Sequence, residues 1–357
     1  MLGLRYYGRG DLRLEEVEEP KIKPGFLKIR VRTCGICGTD LNEYLSGPIF
    51  VPKDKPHPLT GRTAPVILGH EFSGEVVEVG AGVKGFKEGD RVAVFPVIHC
   101  GECYFCRRGM ENLCVNFGVT GLSEDGGFAE YALVRPNQAY KLPESVSFEE
   151  GALVEPLSVG VRAVKKAEIM PGDSVVIVGA GPIGLCVLLV AKASGAGKII
   201  VVEPSKVRRE KAKELGADIV IDPTGKTTED VVGEIVSETD IGVDVSFECV
   251  GINETFRTAV ECLRKGGKAV MLGVFKCLTP FDAKGLVVGE KVITGSVSHS
   301  ADDFLRGISL ISSNRVDVRP LITSRVRLGD IIEKGFEELV KNKEKHVKIL
   351  ATMEGSA

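Results

Sequence analysis

The sequence contains no tryptophan, no long run of basic residues and no uninterrupted apolar segment of membrane-spanning length. Its most apolar stretch, residues 174–203, is broken by glycines and by Pro182, which argues against a membrane span. The first residues, MLGLRYYGRGDL, lack the apolar core of a secretion signal. A net charge of -3 does not suit nucleic-acid binding, which needs clustered positive charge. We therefore expect neither a membrane nor a nucleic-acid partner.

The composition that remains is that of a soluble α/β protein. Of the 357 residues, 43% are hydrophobic, 27% are charged and 43 are glycine. This length predicts about two domains, and the glycines suit the tight turns of an α/β fold. Ten cysteines without a secretion signal indicate a reducing compartment. We therefore expect a cytoplasmic protein.

The periodicity of apolar residues changes near residue 150. Before it, short runs bounded by glycine or proline predict strands at 26–34, 72–80 and 90–97. After it, strands predicted at 174–178, 198–203, 218–221, 243–248 and 267–273 alternate with helices predicted at 182–194, 205–215, 228–238 and 253–264. This alternation predicts a parallel sheet with helices on both faces.

The domain boundaries follow from the same change of pattern. A strand in TGSVSH, helices at 302–313 and 329–342 and a last strand in HVKILAT are predicted after about residue 290. We expect this last part to rejoin the first domain. The predicted domains are therefore residues 1–150, completed by 291–357, and an inserted nucleotide-binding domain at 151–290.

Four cysteines lie within fifteen residues, in the run CGECYFCRRGMENLC. Cys100, Cys103, Cys106 and Cys114 have the spacing C-x2-C-x2-C-x7-C, which lets four thiolates from one loop surround a tetrahedral Zn²⁺. An iron–sulfur cluster could use the same ligands, and a disulfide set would need an oxidising compartment. Four sulfurs leave no open position for a substrate, so the pattern favours a structural zinc ion.

A glycine-rich turn, GAGPIG at 179–184, follows a strand-like run and precedes an apolar helix. Gly179 permits the tight turn, Gly181 lets the backbone approach a pyrophosphate, and Gly184 allows close packing of helix and strand. Pro182 and Ile183 begin the helix, whose free N–H groups favour phosphate. This context predicts a dinucleotide site.

The choice of dinucleotide is predicted by an acidic residue after the second strand. Glu203 lies 24 residues after Gly179, where a carboxylate accepts hydrogen bonds from both ribose hydroxyls and repels a 2′-phosphate. This favours NAD over NADP. Arg208 could stack near the adenine or pair with Glu203, so use of both cofactors stays open.

A second set of metal ligands is scattered rather than clustered. Cys37 lies in TCGICGTDLNEY, His70 and Glu71 lie in VILGHEFSGEV, and Glu155 lies in GALVEPLSVG. A thiolate, an imidazole and carboxylates from separate segments are typical of an open catalytic metal site. Each residue alone is weak evidence, since a lone cysteine in a β-rich domain is usually part of the core. A zinc-free protein with a binding or regulatory role is the alternative.

Together these motifs resemble the zinc-dependent medium-chain alcohol dehydrogenases over essentially the whole chain. The GHE motif, the four-cysteine lobe, GALVEPLSVG and GAGPIG occur in that family's order and at similar spacings. Glu155 stands where a second cysteine ligand would fall, as in the polyol and threonine dehydrogenase branch. The segments LNEYLSGPIFVPKDKPH and KGFEELVKNKEKHVKIL most resemble the 2,3-butanediol dehydrogenases of that branch; a sorbitol or polyol dehydrogenase, or an L-threonine 3-dehydrogenase, is the alternative.

The resemblance implies a GroES-like β-rich catalytic domain and a Rossmann domain with a doubly wound parallel sheet. It also implies two zinc ions per chain, NAD as cofactor and hydride transfer between NAD(H) and a secondary alcohol or ketone, such as a vicinal diol. Cys37 and His70 should bind the catalytic zinc, with Glu71 and Glu155 supplying the remaining coordination. A homodimer or homotetramer is expected.

The resemblance also implies a route for the substrate proton. Thr39 is the expected first acceptor, although its hydroxyl could instead cap the following helix. Asp40 is expected to orient His70 through its other ring nitrogen, with turn capping as the alternative. Relatives continue the relay with a histidine three residues later, where this sequence has Asn42. We therefore expect a weak dependence of turnover on pH near neutrality.

Overall fold

The computed structural model describes residues 1–353, which form two compact units. The first comprises Met1–Glu155, Ser300–Asn314 and the segment from Ile322 onward; the second comprises Pro156–His299 and Arg315–Leu321. The predicted boundaries fall at 150 and 290, and the units change at 155 and 299. The catalytic and nucleotide-binding roles assigned to these domains remain predictions.

The strands run in chain order from the first unit through the second and back. They are β1 (Leu2–Gly8), β2 (Asp11–Glu16), β3 (Leu27–Gly35), β4 (Val66–Ile67), β5 (Glu71–Val79), β6 (Arg91–Val94), β7 (Val97–Ile98), β8 (Gly118–Val119), β9 (Tyr131–Val134), β10 (Ala139–Lys141), β11 (Ser174–Val178), β12 (Lys198–Val202), β13 (Ile219–Ile221), β14 (Val243–Glu248), β15 (Leu263–Met271), β16 (Val292–Gly295), β17 (Ile322–Arg327) and β18 (Lys348–Thr352).

Ten α-helices accompany the strands in the described residues. They are α1 (Gly38–Ser46), α2 (Phe148–Ala152), α3 (Val154–Ala167), α4 (Pro182–Ala193), α5 (Lys206–Leu215), α6 (Thr228–Ser237), α7 (Asn253–Glu261), α8 (Ala283–Val288), α9 (Ala301–Ser312) and α10 (Glu338–Asn342). Short 3₁₀ turns occur at Cys106–Arg108, Glu111–Leu113, Pro136–Gln138, Arg319–Leu321, Leu328–Asp330 and Lys343–Lys345, and a π-helical segment spans Ile331–Glu337. No helix within residues 1–353 is both long and apolar enough to cross a membrane.

The first unit is built around β3, the most buried of its long strands. β3 pairs antiparallel with β5, β9 and β18, and the strand order of this sheet is β10-β6-β5-β3-β18-β17. A second sheet has the order β2-β1-β4, and β7 pairs with β8. Alternate residues of β3, namely Leu27, Ile29 and Val31, pack into the core because successive side chains of a strand point to opposite faces.

The second unit is a six-stranded parallel sheet in the order β13-β12-β11-β14-β15-β16. This is the order of a doubly wound nucleotide-binding sheet, and the predicted parallel sheet is confirmed. β11 and β12 are buried on both faces, as expected where helices cover both sides. Its core includes Val176, Val178, Ile200, Val202 and Ile235.

Several predicted element bounds differ from the observed ones. The helix predicted at 253–264 ends at Glu261, and the strand predicted at 267–273 begins at Leu263. Leu263 already pairs with Val243 of β14, so long-range pairing ends the helix early. The strand predicted in TGSVSH begins earlier, at Val292, and the helix predicted at 329–342 is a π-helical segment followed by α10.

Candidate active site

Cys37 and Asp40 are placed by the start of α1. Cys37 is the N-cap residue of this helix, and its backbone N–H donates to Asp40 Oδ2 at 3.0 Å. Asp40 is fully buried. A carboxylate at the third helical position satisfies an N–H that the helix itself leaves unpaired. The turn-capping role considered for Asp40 is therefore present.

The same carboxylate also reaches His70. Asp40 Oδ1 lies 3.3 Å from His70 Nδ1, so one buried side chain contacts both the cysteine segment and the histidine. Gly69 precedes His70 with φ of 95°, and a Cβ there would lie 2.7 Å from Cys34 Sγ. Only glycine fits this conformation and this spacing. Asp40 leaves His70 Nε2 as the ring nitrogen available for another partner.

Three predicted ligands come together in the first unit. One ligand atom each from Cys37, His70 and Glu71 lies within 4.8 Å of the others. Burial alone would lower the pKa of His70, but the neighbouring Asp40 and Cys37 raise it well above its usual value. A partly buried thiol, a buried imidazole and a buried carboxylate are brought together here, and this donor set fits a divalent metal ion of intermediate softness.

Lys348, which the sequence reasoning missed, pairs with Glu71. Its Nζ lies 2.7 and 2.6 Å from the two carboxylate oxygens of Glu71 and donates to the Ile36 carbonyl at 3.1 Å. Burial opposes the charged lysine, but Glu71 raises the pKa of Lys348 above its usual value. Its only sequence signature is a lysine in the otherwise apolar strand VKILA.

Glu155 lies outside the group of Cys37, His70 and Glu71. It belongs to the first turn of α3. Burial raises the pKa of Glu71, Lys348 lowers it, and the charge of Glu155 raises it again. Glu155 is therefore close enough to interact with Glu71, and its role as a ligand stays a prediction.

Thr39 lies beside the group, in the first turn of α1. Its Oγ1 is 3.7 Å from Cys37 Sγ. Asn42, one turn further along α1, is exposed. A relay through Thr39 remains a prediction.

The four cysteines of the lobe converge as their spacing predicts. Sγ–Sγ distances are 3.4 Å for Cys103–Cys106, 3.6 Å for Cys100–Cys114 and 3.9 Å for Cys100–Cys106. Backbone N–H groups point at the sulfurs, and that of Cys106, followed by that of Val115, lowers the pKa of Cys103 to about 6. All ten cysteines are free thiols. Four converging sulfurs fit a closed tetrahedral metal site.

The glycine-rich turn joins β11 to α4 in the second unit. Gly179 has φ of 99°, and a Cβ on Gly184 would collide with the Gly179 carbonyl. Gly181 is the N-cap of α4 and Pro182 is its first residue. The N–H groups at this helix start are the kind that bind phosphate. Gly179 and Gly184 therefore occupy positions that a larger residue could not take without strain or a clash. A Cβ on Gly181 would meet open space, so its role in letting a pyrophosphate approach stays a prediction.

Glu203 follows β12 and faces this turn. Its carboxylate accepts the Ala180 N–H at 2.7 Å and the Ser205 N–H at 2.9 Å, and the residue is buried. The Arg208 N–H donates to Ser205 Oγ at 3.4 Å at the start of α5. Arg209, which sequence reasoning did not single out, donates to the Glu203 carbonyl at 2.8 Å. Glu203 is thus held at the edge of the predicted ribose site.

Two family models match this chain. Residues 23–144 match the alcohol dehydrogenase GroES-like domain, and residues 182–313 match zinc-binding dehydrogenase. The chain belongs to the zinc-binding alcohol dehydrogenase family and is an oxidoreductase that acts on CH–OH groups. The predicted GroES-like and Rossmann domains are confirmed.

Among curated relatives, the chain is 44% identical over 351 residues to the (R,R)-butanediol dehydrogenase of Bacillus subtilis, covering 98% of this chain and 99% of the relative. It is 39% identical to the L-threonine 3-dehydrogenase of Pyrococcus abyssi, covering 91% of this chain and 90% of the relative. The resemblance to the butanediol dehydrogenases thus extends along nearly the whole sequence.

Solved structures agree with this placement. The 2R,3R-butanediol dehydrogenase of Bacillus subtilis superimposes with a TM-score of 0.92 at 42% identity, covering 98% of this chain and 99% of that one. A putative zinc-binding dehydrogenase from Sinorhizobium meliloti bound to NADP gives 0.88 at 32%, covering 98% of both chains. An Escherichia coli alcohol dehydrogenase (rspB) complexed with NADH gives 0.89 at 28%, covering 99% of both chains.

Proposed function

We propose that this protein oxidises a vicinal diol such as 2,3-butanediol at one secondary carbon, with NAD as the hydride acceptor, and reduces acetoin in reverse. The observation that carries the proposal is the group of the partly buried Cys37 with the buried His70 and Glu71, backed by Asp40. Full-length similarity to butanediol dehydrogenases supports the diol as substrate.

The residues of this group would hold a zinc ion. Cys37 and His70 supply soft and intermediate donors, and either Glu71 or Glu155 completes the protein ligands. When bound, zinc supplies Lewis acidity at the substrate hydroxyl. Asp40 fixes the orientation of the His70 ring, and Lys348 holds the Glu71 carboxylate through an ion pair.

The second unit would bind NAD. The turn of Gly179, Gly181 and Gly184 with Pro182 and Ile183 would receive the pyrophosphate, and Glu203 the ribose hydroxyls. The cofactor itself supplies the hydride chemistry. Because solved relatives bind either NADP or NADH, the fold admits both, and the buried carboxylate of Glu203 supports NAD here. Arg208 lies at the adjoining start of α5.

The substrate proton would leave through Thr39. Its hydroxyl can accept a proton while donating its own, because one oxygen carries both a donor and acceptor lone pairs. Asn42 does not titrate near neutral pH, so water or the cofactor ribose would carry the proton onward.

The proposed relay predicts the pH dependence of turnover. We expect wild-type kcat to vary little between pH 6 and 7.5, and N42H to gain a limb of about tenfold per pH unit below about pH 6.5, where histidine titrates. Leu45→His, an exposed position on the same helix, is the matched control and should behave like wild type. A steep limb already present in the wild type would contradict the relay.

The proposed substrate is tested by following NADH formation at 340 nm. The panel contains the separate stereoisomers of 2,3-butanediol, sorbitol, L-threonine and simple secondary alcohols, each with NAD and with NADP. We expect the highest kcat/KM for one butanediol isomer with NAD. Preference for sorbitol or L-threonine would leave the metal chemistry intact and overturn the diol assignment.

The two proposed metal sites predict how much zinc each chain binds, and they predict that this amount falls when one cysteine of the lobe is replaced. We expect about two zinc ions per chain in the wild type and about one in Cys106→Ser, because a structural site needs all four thiolates. Cys277→Ser removes an exposed cysteine outside both groups and should leave the content unchanged. Elemental analysis of the purified chain measures this. A wild type that contains a single zinc ion per chain would indicate that the four-cysteine lobe binds zinc and that the catalytic site does not.

We also propose a homodimer, or a dimer of dimers, in the cytoplasm. β16 is the edge strand of its sheet, and the nearby Val287, Val288 and Val292 are exposed by 74%, 65% and 45%. An edge strand with unpaired backbone groups can pair with a second copy, and ten cysteines outside any disulfide bond suit a reducing compartment. Sedimentation equilibrium of the full chain measures the subunit number, and a monomer would contradict the proposal.

A further inference from the structure

Two buried carboxylates lie on one face of α1, three residues apart. Asp40 and Glu43 both have 0% exposure, and residues three apart on a helix are neighbours. Asp40 contacts Cys37 and His70 as described above. Glu43 lies one turn further from the metal group, and the role of its buried charge is not explained by the proposed reaction.

The Glu43 carboxylate binds the segment that follows the helix. It accepts the backbone N–H groups of Ile49 at 3.0 Å and Val51 at 3.3 Å, and that of Phe50 between them. Three N–H groups on one carboxylate are enough to stabilise its charge without a cation. The C-terminal end of α1 is therefore tied to this segment.

Glu43 also lies beside Tyr6, which belongs to strand β1. A Cβ on Gly47 would meet Glu43 Oε2 at 2.6 Å and would clash with the Tyr6 hydroxyl, so both oxygens lie close to the same face of this glycine. Tyr6 is fully buried, and burial, followed by the charge of Glu43, raises the pKa of Tyr6 to about 12. Glu43 therefore places a buried carboxylate of α1 next to β1.

This contact involves the strand that positions His70. Tyr6 pairs with Val66 of β4, and the Leu68 N–H donates to the Leu4 carbonyl at 3.2 Å. β1 thus runs beside the residues that lead directly into His70. Asp40 attaches α1 to His70, and Glu43 attaches it to the strand beside it. α1 is also held by the Gly10 N–H, which donates to the Tyr44 carbonyl at 2.7 Å, and by the Tyr44 hydroxyl, which donates to Glu337 at 2.7 Å. The buried contacts of Asp40 and Glu43, one turn apart, add to these in fixing the rotation of the helix.

We propose that Glu43 is a positioning residue for the catalytic metal site, which fixes the rotation of α1 and so keeps Cys37 and Asp40 in register with His70. This inference rests on the proposed function, since it requires a metal ion at Cys37 and His70. Glu43 itself contacts neither the ligand atoms nor the substrate. Loss of Glu43 should therefore weaken this metal site and leave the four-cysteine site unchanged.

The test is the rate at which zinc passes from the full-length protein to a coloured chelator. Cys106→Ser retains only the catalytic site, so the phase that it still shows is the release of the catalytic zinc. We expect E43Q to release the catalytic zinc about tenfold faster, at the low end for groups that support metal ligands, with the lobe zinc unchanged. Tyr6→Phe keeps the Glu43 carboxylate and removes the hydroxyl beside it. We therefore expect a smaller acceleration of the release of the catalytic zinc.

Asp90→Asn is the matched control. Asp90 accepts the Lys87 N–H at 2.9 Å in the same unit, outside both α1 and β1, so both phases should match the wild type. Equal acceleration of both phases in E43Q, or no acceleration in either E43Q or Tyr6→Phe, would overturn the positioning role while leaving the proposed function intact. A wild type that releases only the lobe zinc would overturn the proposed function and this inference together.

Discussion

Replacing Lys348 by methionine should destabilise the first unit by about 3–5 kcal/mol, because removal of one partner leaves the Glu71 carboxylate buried and unpaired. Both side chains are at most 3% exposed, so water cannot replace the lost ammonium group. Urea unfolding followed by far-ultraviolet circular dichroism measures the effect, since the sequence has no tryptophan for fluorescence. Lys141→Met breaks the pair of the half-exposed Lys141 with Asp90, where water can replace the ammonium group, and should cost about 1 kcal/mol or less.

A double-mutant cycle identifies the cause. If the cost comes from the orphaned charge, Glu71→Leu combined with Lys348→Met should cost less than the two single changes added together, because neighbouring sites couple. Additive costs would mean that Lys348 acts through packing of its aliphatic chain instead. A small effect of Lys348→Met alone would show that Glu71 readily takes up a proton, and the ion pair would then have no measurable structural role.

The features that sequence predicted well are local ones. The four cysteines and the glycine-rich turn each lie in one short run, so their spacing alone restricts the geometry that the backbone can adopt. Strands β11 to β15 of the parallel sheet were predictable because buried parallel strands and amphipathic helices have different periods. In each of these cases the pattern that supports the prediction lies within a short run of residues. The sixth strand, β16, was instead expected in the part of the chain that rejoins the first domain, and it lies in this sheet.

The residues of the catalytic group come together only in the folded structure. Cys37 and Glu71 approach each other because β3 pairs antiparallel with β5, with Gly35 opposite Glu71. A Cβ on Gly35 would lie 3.3 Å from the Glu71 Cβ and would clash with its carboxylate. Periodicity predicts that both strands exist, but not their register. Only the resemblance to a known family connected these residues before the structure did.

Lys348 and Glu43 show what sequence reasoning could not reach. Lys348 is 277 residues from Glu71, and a lysine in a strand normally indicates a solvent-exposed face. From the sequence alone, Glu43 would be expected to be an exposed polar residue of a short surface helix. In both cases burial, which depends on long-range packing, changes the role of the side chain. An unexplained charge in an otherwise apolar pattern is the sequence feature that could draw attention to such residues.

Replacing Glu203 by glutamine should raise the ratio of kcat/KM for NADP to that for NAD by about a hundredfold, because like charges in contact cost several kcal/mol. The variant removes the charge that repels a 2′-phosphate. Ala180 and Ser205 donate their N–H groups to different oxygens of Glu203, so the single oxygen of glutamine can keep one of these two hydrogen bonds and with it part of the geometry of the turn. Initial rates with each cofactor at saturating substrate measure the ratio.

The control separates charge from structure at this position. Glu210, on the exposed side of α5, carries the same charge near the site, so Glu210→Gln tests for a general effect of net charge and should leave the ratio near the wild-type value. If E203Q lowers activity with both cofactors equally, the main role of Glu203 is to hold the turn through Ala180, and cofactor choice lies elsewhere. A rise confined to NADP would show that one buried carboxylate decides between two cofactors that the fold can accommodate.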